Sequence, residues 1–179
     1  FSDVEVHIHV QKVPLGLGNA IQSALHAIDG PFLVLLGDNL LIDTHSTLDS
    51  FVPSQASAAL VAAYESHGRP CAALLSVAQE ELCNYGVVRL DGTKITEIVE
   101  KPSVDAAPSN LVLCGRYVFT GDANTLLDHY DVETHGELQS IALQKHWMDN
   151  GGMHGVELQG YQWQSAAAWS PSERGPGWH

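Results

Sequence analysis

Residues 31–39 read PFLVLLGDN. Five apolar residues, 32–36, follow one another without interruption and stop at a glycine and an acid. A continuous apolar run of this length predicts a strand that is buried on both faces of a parallel sheet. Open α/β sheets bind ligands beyond the carboxyl ends of their strands, so Asp38 is expected where a carboxylate holds a divalent cation. The alternative is that Asp38 caps the following turn or helix.

The segments around this run extend it into an α/β pattern. Residues 4–10 alternate apolar and polar side chains, which predicts a strand with one wetter face. Residues 11–18 read QKVPLGLG and predict a loop, and residues 19–28 carry a helical apolar stripe. Strand, loop, helix and strand together predict a βαβ unit. Further along, Asp91-Gly92 lies between two strand patterns and predicts a β-hairpin.

The composition narrows the classes of function. The chain has 179 residues, a formal net charge of −13 and only 8 Lys and Arg. Nucleic acids and anionic membranes both bind basic patches, so this balance argues against either partner. Three cysteines without a CxxC pair indicate reduced thiols and a cytoplasmic protein. We expect one α/β domain over residues 1–164 and an irregular tail over residues 165–179.

Two segments carry candidate binding residues of complementary chemistry. Gln11 precedes a loop with Gly16, where small residues let a base or phosphate approach the main chain. The Gln11 amide both donates and accepts, which suits the edge of a nucleobase. Glu100 and Lys101, in IVEKP, offer a carboxylate to sugar hydroxyls and a cation to a phosphate. The structural alternatives are a tight turn that requires glycine and a solvated strand end.

A further candidate segment, APSNLVLCGRY, covers residues 107–117. Its Asn110 offers an amide to hydroxyl groups, and Gly115 lets a ligand pack closely against the strand. The structural alternative is a turn that leads into a core strand.

The order of these motifs carries more information than any one of them. QKVPLGLGNAIQSA, VLLGDN, NYGVV, ITEIVEKP, APSNLVLCGRYVF and HGELQ follow one another in the sequence. In this order they resemble the sugar-nucleotide pyrophosphorylases, most closely the bacterial UTP–glucose-1-phosphate uridylyltransferases. The resemblance implies a Rossmann-like three-layer α/β sandwich with a mixed, mainly parallel sheet, truncated here at its N-terminal strand. It also implies a homo-oligomer whose substrates are UTP and glucose 1-phosphate and whose product is UDP-glucose.

The resemblance implies an Mg-dependent transfer without a covalent enzyme intermediate. The sugar phosphate attacks the α-phosphate of UTP in line and releases pyrophosphate, so catalysis depends on positioning and charge neutralisation. By motif position, Gln11 reads the uracil edge, Gly16 lies behind the base and Asp38 binds Mg. Asp38 and Lys101 are therefore the expected catalytic residues.

The same comparison assigns the sugar side of the site. By motif position, Gly86 of NYGVV faces the glucose, Glu100 holds its hydroxyls and Lys101 neutralises its phosphate. Asn110 and Gly115 line the sugar pocket.

Two departures from the family pattern lower the expected activity. The glycine-rich G-x-G-T-R loop that wraps the triphosphate is absent from this sequence, and Gln164 stands where a second magnesium-binding Asp is expected. We therefore expect an incomplete or weakly active enzyme. The alternative is a non-catalytic family member that binds sugar nucleotide or regulates a partner. A glycosyltransferase of similar fold is a weaker alternative, because Asp38-Asn39-Leu40 stands in place of an Asp-x-Asp motif.

Overall fold

The computed structural model describes residues 4–43, 47, 49–50, 55–128 and 140–165. Short 3-10 turns at Leu25–Ala27, Gln79–Asn84 and Val104–Ala106 connect some of the main elements. The helices are α1 (Leu17–Ala24), α2 (Ala56–His67), α3 (Ala123–Asp128) and α4 (Ser140–Asp149). The strands are β1 (Phe32–Leu35), β2 (Asn39–Asp43), β3 (Cys71–Ser76), β4 (Gly86–Asp91), β5 (Lys94–Glu100), β6 (Leu111–Phe119), β7 (His154–Glu157) and β8 (Tyr161–Ser165).

The main sheet is mixed, as expected from the sequence. Its six strands lie in the order β1-β6-β3-β7-β5-β4, and β6 also pairs with β4. The pairings place β1, β3, β4 and β7 in one direction and β5 and β6 in the other. Within the described residues, β3 and β7 are the pair that hydrogen-bonds in parallel. A separate two-stranded ribbon joins β2 to β8.

Helices cover both faces of the sheet, which confirms the three-layer α/β architecture. Strand β3 shows this most clearly, because its side chains alternate between two cores. Ala72 and Leu74 pack in the core that holds α1, α3 and α4. Cys71, Ala73 and Leu75 pack in the core under α2.

The apolar run at residues 32–36 is not buried on both faces, so that prediction was wrong. It forms β1, which among the described strands pairs only with β6 and lies at the sheet edge. Leu33 and Leu35 remain 37% and 51% exposed. The doubly buried strand is β3, whose first five residues are all buried. Burial therefore follows the number of neighbouring strands and covering helices, which the apolar content of one segment does not report.

The alternating residues 4–10 do not form a strand in the structure, contrary to expectation. Val6 and Ile8 are 76% and 86% exposed, and no described strand pairs with this segment. A strand is stable only when a neighbour satisfies its backbone groups. The alternation is real, but the partner it requires is not among the described elements.

The hairpin and its surroundings agree with the sequence. Strands β4 and β5 pair antiparallel, and Gly92 in their turn has a φ of 57°, a conformation that favours glycine. No helix in the described part of the chain is long and apolar enough to cross a membrane. Of the tail predicted for residues 165–179, Ser165 ends β8, and residues 166–179 lie outside the described residues.

Candidate functional site

The ends of several strands surround an open cavity of about 190 Å³. Its lining comes from segments far apart in the sequence: the turn after β1, the open end of the β4–β5 hairpin, the middle of β6, and α4. Four residues singled out in the sequence line it, namely Asp38, Gly86, Glu100 and Gly115. Asp38 and Glu100 are exposed at its opening. The fold therefore brings half of the eight predicted site residues to one place.

Gly86 and Glu100 face each other across the open end of the hairpin. A Cβ atom added at Gly86 would lie 2.9 Å from Glu100 Oε1 and 3.2 Å from Leu113 Cδ1. A distance under 3 Å is too short for an ordinary contact, so a side chain at this position would displace the carboxylate. Glycine at this position leaves Glu100 its place at the cavity.

Gly115 likewise leaves space for a neighbouring side chain, that of Asn39. Its φ is 72°, and an added Cβ would lie 2.9 Å from Asn39 Cγ. The Asn39 amide donates to Asp38 Oδ1 over 2.7 Å, and its Oδ1 accepts from Trp163 Nε1 over 3.1 Å. Gly115 thus admits an amide that positions the Asp38 carboxylate and joins β8 to the site.

The bottom of the cavity holds polar groups that are withdrawn from water. In the described part of the chain, three polar side chains are buried and all three line this cavity: Ser140, Gln144 and Ser165. Tyr117, also in the lining, is 5% exposed. Burial raises the pKa of Tyr117, and the nearby Cys114 thiol and the Glu100 and Asp38 carboxylates raise it further, while a hydrogen bond with Gln144 lowers it. The Tyr117 hydroxyl therefore stays protonated and can donate.

Lys101 follows Glu100 but does not line the cavity. Its φ of 45° is the one left-handed value at a non-glycine residue in the described chain. Such a conformation costs about 1–2 kcal/mol for a residue with a side chain. The backbone N–H of Lys101 donates to the Tyr85 carbonyl oxygen over 2.9 Å, which holds the strained turn in place. Strain of this kind often accompanies functional positions.

Gln11 and Gly16 lie together in their own loop, outside the lining of the cavity. Gln11 Nε2 donates to the Gly16 carbonyl oxygen over 3.1 Å and to Asn19 Oδ1 over 2.7 Å. Gly16 precedes α1 with a φ of 97°. The side-chain amide N–H groups of Gln11 therefore hydrogen-bond within the loop, and the side-chain carbonyl oxygen of Gln11 is the atom left for a ligand.

A second, larger cavity of about 660 Å³ adjoins the first and shares Tyr85, Trp163 and Ser165 with it. Gln164 lines this second cavity. Asn110 lines neither cavity, and its amide donates to Ser76 Oγ over 2.7 Å. The structure thus places Asn110 beside a residue of the larger cavity, and its sugar-binding role stays a prediction.

The donors for a metal ion are few. The described residues contain no group of three or more His, Cys, Asp or Glu that could hold one. Asp38 offers one carboxylate at the cavity opening. One or two carboxylates together with substrate phosphates are the usual protein ligands of Mg²⁺. Asp38 therefore fits a magnesium ion that a phosphate ligand brings with it, and does not form a site for the metal alone.

Several side chains that line the cavity were missed because no local pattern marks them. Asn39, Tyr117 and Gln144 each occupy ordinary positions in strand or helix patterns, and only the tertiary fold turns them toward one cavity. Asn39 had one signal, since it directly follows Asp38 in the GDN motif.

Comparisons with known proteins place these features in a family context. The family model for nucleotidyl transferases matches residues 1–169. YngB of Bacillus subtilis strain 168, a UTP–glucose-1-phosphate uridylyltransferase, is 34% identical over 128 residues, which is 68% of this chain and 40% of the relative. The bifunctional protein GlmU of Methanococcus maripaludis strain C7 is 32% identical over 153 residues, 85% of this chain and 33% of the relative.

A solved structure agrees with these sequence matches. The crystal structure of a UDP-glucose pyrophosphorylase complexed with UDP-glucose has 29% sequence identity and a TM-score of 0.68. The alignment covers 88% of this chain and 59% of that one. The chain thus spans less than half the length of the two curated relatives.

Proposed function

Because the chain belongs to the nucleotidyl transferase family, we propose that it forms the sugar-binding part of a UTP–glucose-1-phosphate uridylyltransferase. In this reaction a phosphate oxygen of glucose 1-phosphate forms a bond to the α-phosphorus of UTP. The bond to the β-phosphate oxygen breaks, and pyrophosphate leaves with its electron pair. UDP-glucose is the product.

The observation that supports this proposal most is the convergence of Asp38, Gly86, Glu100 and Gly115 on one cavity. The two glycines leave room for the Glu100 and Asn39 side chains at the cavity, and an acidic side chain accepts hydrogen bonds from sugar hydroxyls. No Lys or Arg among the described residues lines the cavity. A neutral sugar ring suits such a lining better than a phosphate does, because the two carboxylates repel anions.

The candidate residues in and around the cavity have separate roles in this proposal. In the proposal, Glu100 accepts hydrogen bonds from the sugar, and Lys101 places its cation against the sugar phosphate. The carbonyl oxygen of Gln11 accepts a hydrogen bond from the base, with Gly16 behind it. Asp38 would hold the magnesium ion of the nucleotide, which neutralises phosphate charge when bound. Each group acts by position and charge, as phosphoryl transfer requires.

Calorimetric titration with UDP-glucose tests the site directly. We expect binding, and we expect Glu100→Gln to weaken it about 10- to 100-fold, because hydrogen bonds to charged groups contribute about 1.5–3 kcal/mol. The matched control is Glu97→Gln on the same strand, whose carboxylate is exposed and accepts from Arg89 Nε over 3.0 Å. This control should bind within about threefold of the wild type. Absence of heat from wild type at millimolar UDP-glucose would contradict the proposal.

A second candidate is a family member that binds sugar nucleotide without turning it over. It is favoured by the single carboxylate at the metal position, since Gln164 is a neutral amide. An assay of pyrophosphate release from UTP and glucose 1-phosphate in the presence of Mg²⁺ separates the two candidates. The protein concentration should be one at which UDP-glucose binding can be saturated. Binding without release would select this candidate.

A further inference from the structure

Gln144 occupies the bottom of the candidate sugar site. It lies on α4, is 1% exposed, and lines the cavity with Asp38 and Glu100. Its neighbours on the helix, Leu143 and Trp147, are buried in the apolar core. An amide at this position is therefore costly unless its polar atoms find partners.

One end of this amide is left without a partner. Gln144 Nε2 donates to Ser140 Oγ over 3.2 Å, one helical turn earlier, and the amide also makes the hydrogen bond that lowers the pKa of Tyr117. Gln144 Oε1 is withdrawn from solvent and has no hydrogen-bond partner among the described residues. A buried carbonyl without a partner destabilises a protein measurably, and an apolar side chain of the same length would avoid this cost. The free acceptor therefore points to a ligand that completes it.

The other groups of the cavity identify the chemistry of that ligand. A phosphate is disfavoured beside Asp38 and Glu100, and a purely apolar group would leave the amide unpaired. Hydroxyl groups both donate and accept, so they can pair with either end of the amide and with the carboxylates. Several hydroxyls on one ring match several polar groups around one cavity.

We propose that Gln144 is a specificity residue that hydrogen-bonds a hydroxyl group of the sugar in the Asp38–Glu100 cavity. This inference rests on the proposed function, because it takes the sugar of a sugar nucleotide as the occupant. Glu100 then holds the sugar from the cavity opening and Gln144 from the bottom. A sugar that lacks the hydroxyl leaves the Gln144 carbonyl unpaired and is bound more weakly.

The test compares Gln144→Met with wild type by calorimetry, using UDP-glucose and UDP as the two probes. Met has the same length and no polar amide, so it removes the hydrogen bond with little change in packing. We expect UDP-glucose affinity to fall about 10- to 100-fold and UDP affinity to stay within about threefold. The urea midpoint of the free protein should rise, because the unpaired buried carbonyl is gone.

Controls separate a ligand-binding role from a structural one. Gln162→Leu changes a glutamine on β8 that is exposed and lines neither cavity, and it should leave both affinities unchanged. Gln144→Leu provides a second apolar variant if the methionine variant does not fold. Analogues of UDP-glucose lacking one hydroxyl identify the group contacted, since one analogue should bind wild type and Gln144→Met equally.

The outcomes distinguish this inference from the proposed function. Equal losses for UDP and UDP-glucose, or a lower urea midpoint in both variants, would overturn the role of Gln144 while the sugar-nucleotide site stands. Unchanged UDP-glucose affinity in the variants would do the same. Failure of wild type to bind either probe would overturn the proposed function, and the specificity role of Gln144 with it.

Discussion

A central strand and an edge strand of the main sheet, β3 and β1, differ in how completely they are packed. Strand β3 has a neighbour on each side and a helix layer on each face, and its Leu74 is fully buried. Strand β1 has one described neighbour, and its Leu35 is 51% exposed. The less buried strand, β1, has the more apolar sequence, FLVL, whereas β3 reads CAALLS. Packing therefore depends on what the rest of the chain places around a strand.

This difference divides the candidate site as well. The groups proposed for the sugar, Gly86, Glu100 and Gly115, lie on β4, β5 and β6, which pair with other strands of the main sheet. Gln11, proposed for the base, lies next to residues 4–10, which no described strand pairs with. The sugar side of the site is therefore supported by the core, and the base side depends on its own loop hydrogen bonds.

The largest expected effect compares the same substitution on the two strands. Leu74→Ala removes a fully buried side chain and should lower the free energy of unfolding by about 2–5 kcal/mol. Leu35→Ala removes a half-exposed one and should cost no more than about 1 kcal/mol. Urea unfolding followed by fluorescence measures both. Similar losses at the two positions would mean that β1 is as well covered in solution as β3.

A glycine at the sugar side offers the next test. Gly86→Ala places a Cβ 2.9 Å from Glu100 Oε1, so it should displace the carboxylate and weaken UDP-glucose binding about 10-fold or more. Gly37→Ala is the matched control, because an added Cβ there meets nothing within 4 Å and its φ is not left-handed. Its affinity should stay within about threefold of wild type. If both variants bind normally, Glu100 does not hold the ligand.

Much of the fold could be predicted because it depends on local patterns. The Asp91-Gly92 turn carries its signal within two residues, and the structure has the hairpin there. The apolar stripe of residues 19–28 predicts a helix, and α1 with the 3-10 turn that follows it covers residues 17–27. The two short strands β2 and β8 were missed. They stabilise each other by pairing across more than a hundred residues, so although aromatic and polar residues alternate in the YQWQ of β8, neither strand has a pairing partner close to it in the sequence.

The site was half predictable for a related reason. Asp38 directly follows Gly37, and Glu100 stands at a strand end two residues before Pro102, which marks both in the sequence. Gln144 lies within a helical pattern, and its unpaired carbonyl becomes visible only when its neighbours are known. Residues that act through a tertiary environment leave little trace in a single sequence.

The ribbon of β2 and β8 allows a test of the metal position. Gln164 pairs with Leu40, two residues after Asp38, and lines the larger cavity that adjoins the Asp38 cavity. Gln164→Asp should therefore create a second carboxylate for the ion and tighten Mg²⁺ binding about 10-fold, as measured by calorimetry with UDP-glucose present. Gln162→Asp, two residues earlier on β8, adds the same charge and serves as the control. Equal tightening by both would indicate a general charge effect.

The smallest expected effect lies beside the well-packed strand β3, where two histidines join the end of α2 to the start of β7. The rings of His67 and His154 stack with centroids 4.0 Å apart. Burial lowers the pKa of His67 below 6.5, and Arg69 lowers it further. Burial also lowers the pKa of His154, as do the charges of His67, Lys94 and Arg69. The buried Cys71 thiol, 3.7 Å from His67 Nε2, is neutral because burial raises its pKa to about 11.

These shifts give a stability change with a defined sign. Because both folded-state pKa values lie below 6.5, the unfolded chain binds more protons as the pH falls below that value. The stabilisation is complete above about pH 6.5 and decreases as the pH falls, so urea midpoints should drop between about pH 6.5 and pH 5. His67→Gln should flatten this dependence, because it removes one titrating ring and one of the charges that lower the pKa of His154. His154→Gln added to it should flatten the dependence further, because burial, Lys94 and Arg69 still lower the pKa of His154 when His67 is absent. If the urea midpoint of the double variant still falls with pH as in the wild type, other groups cause the pH dependence. Protonation of the two histidines would then not affect the contact of α2 with β7.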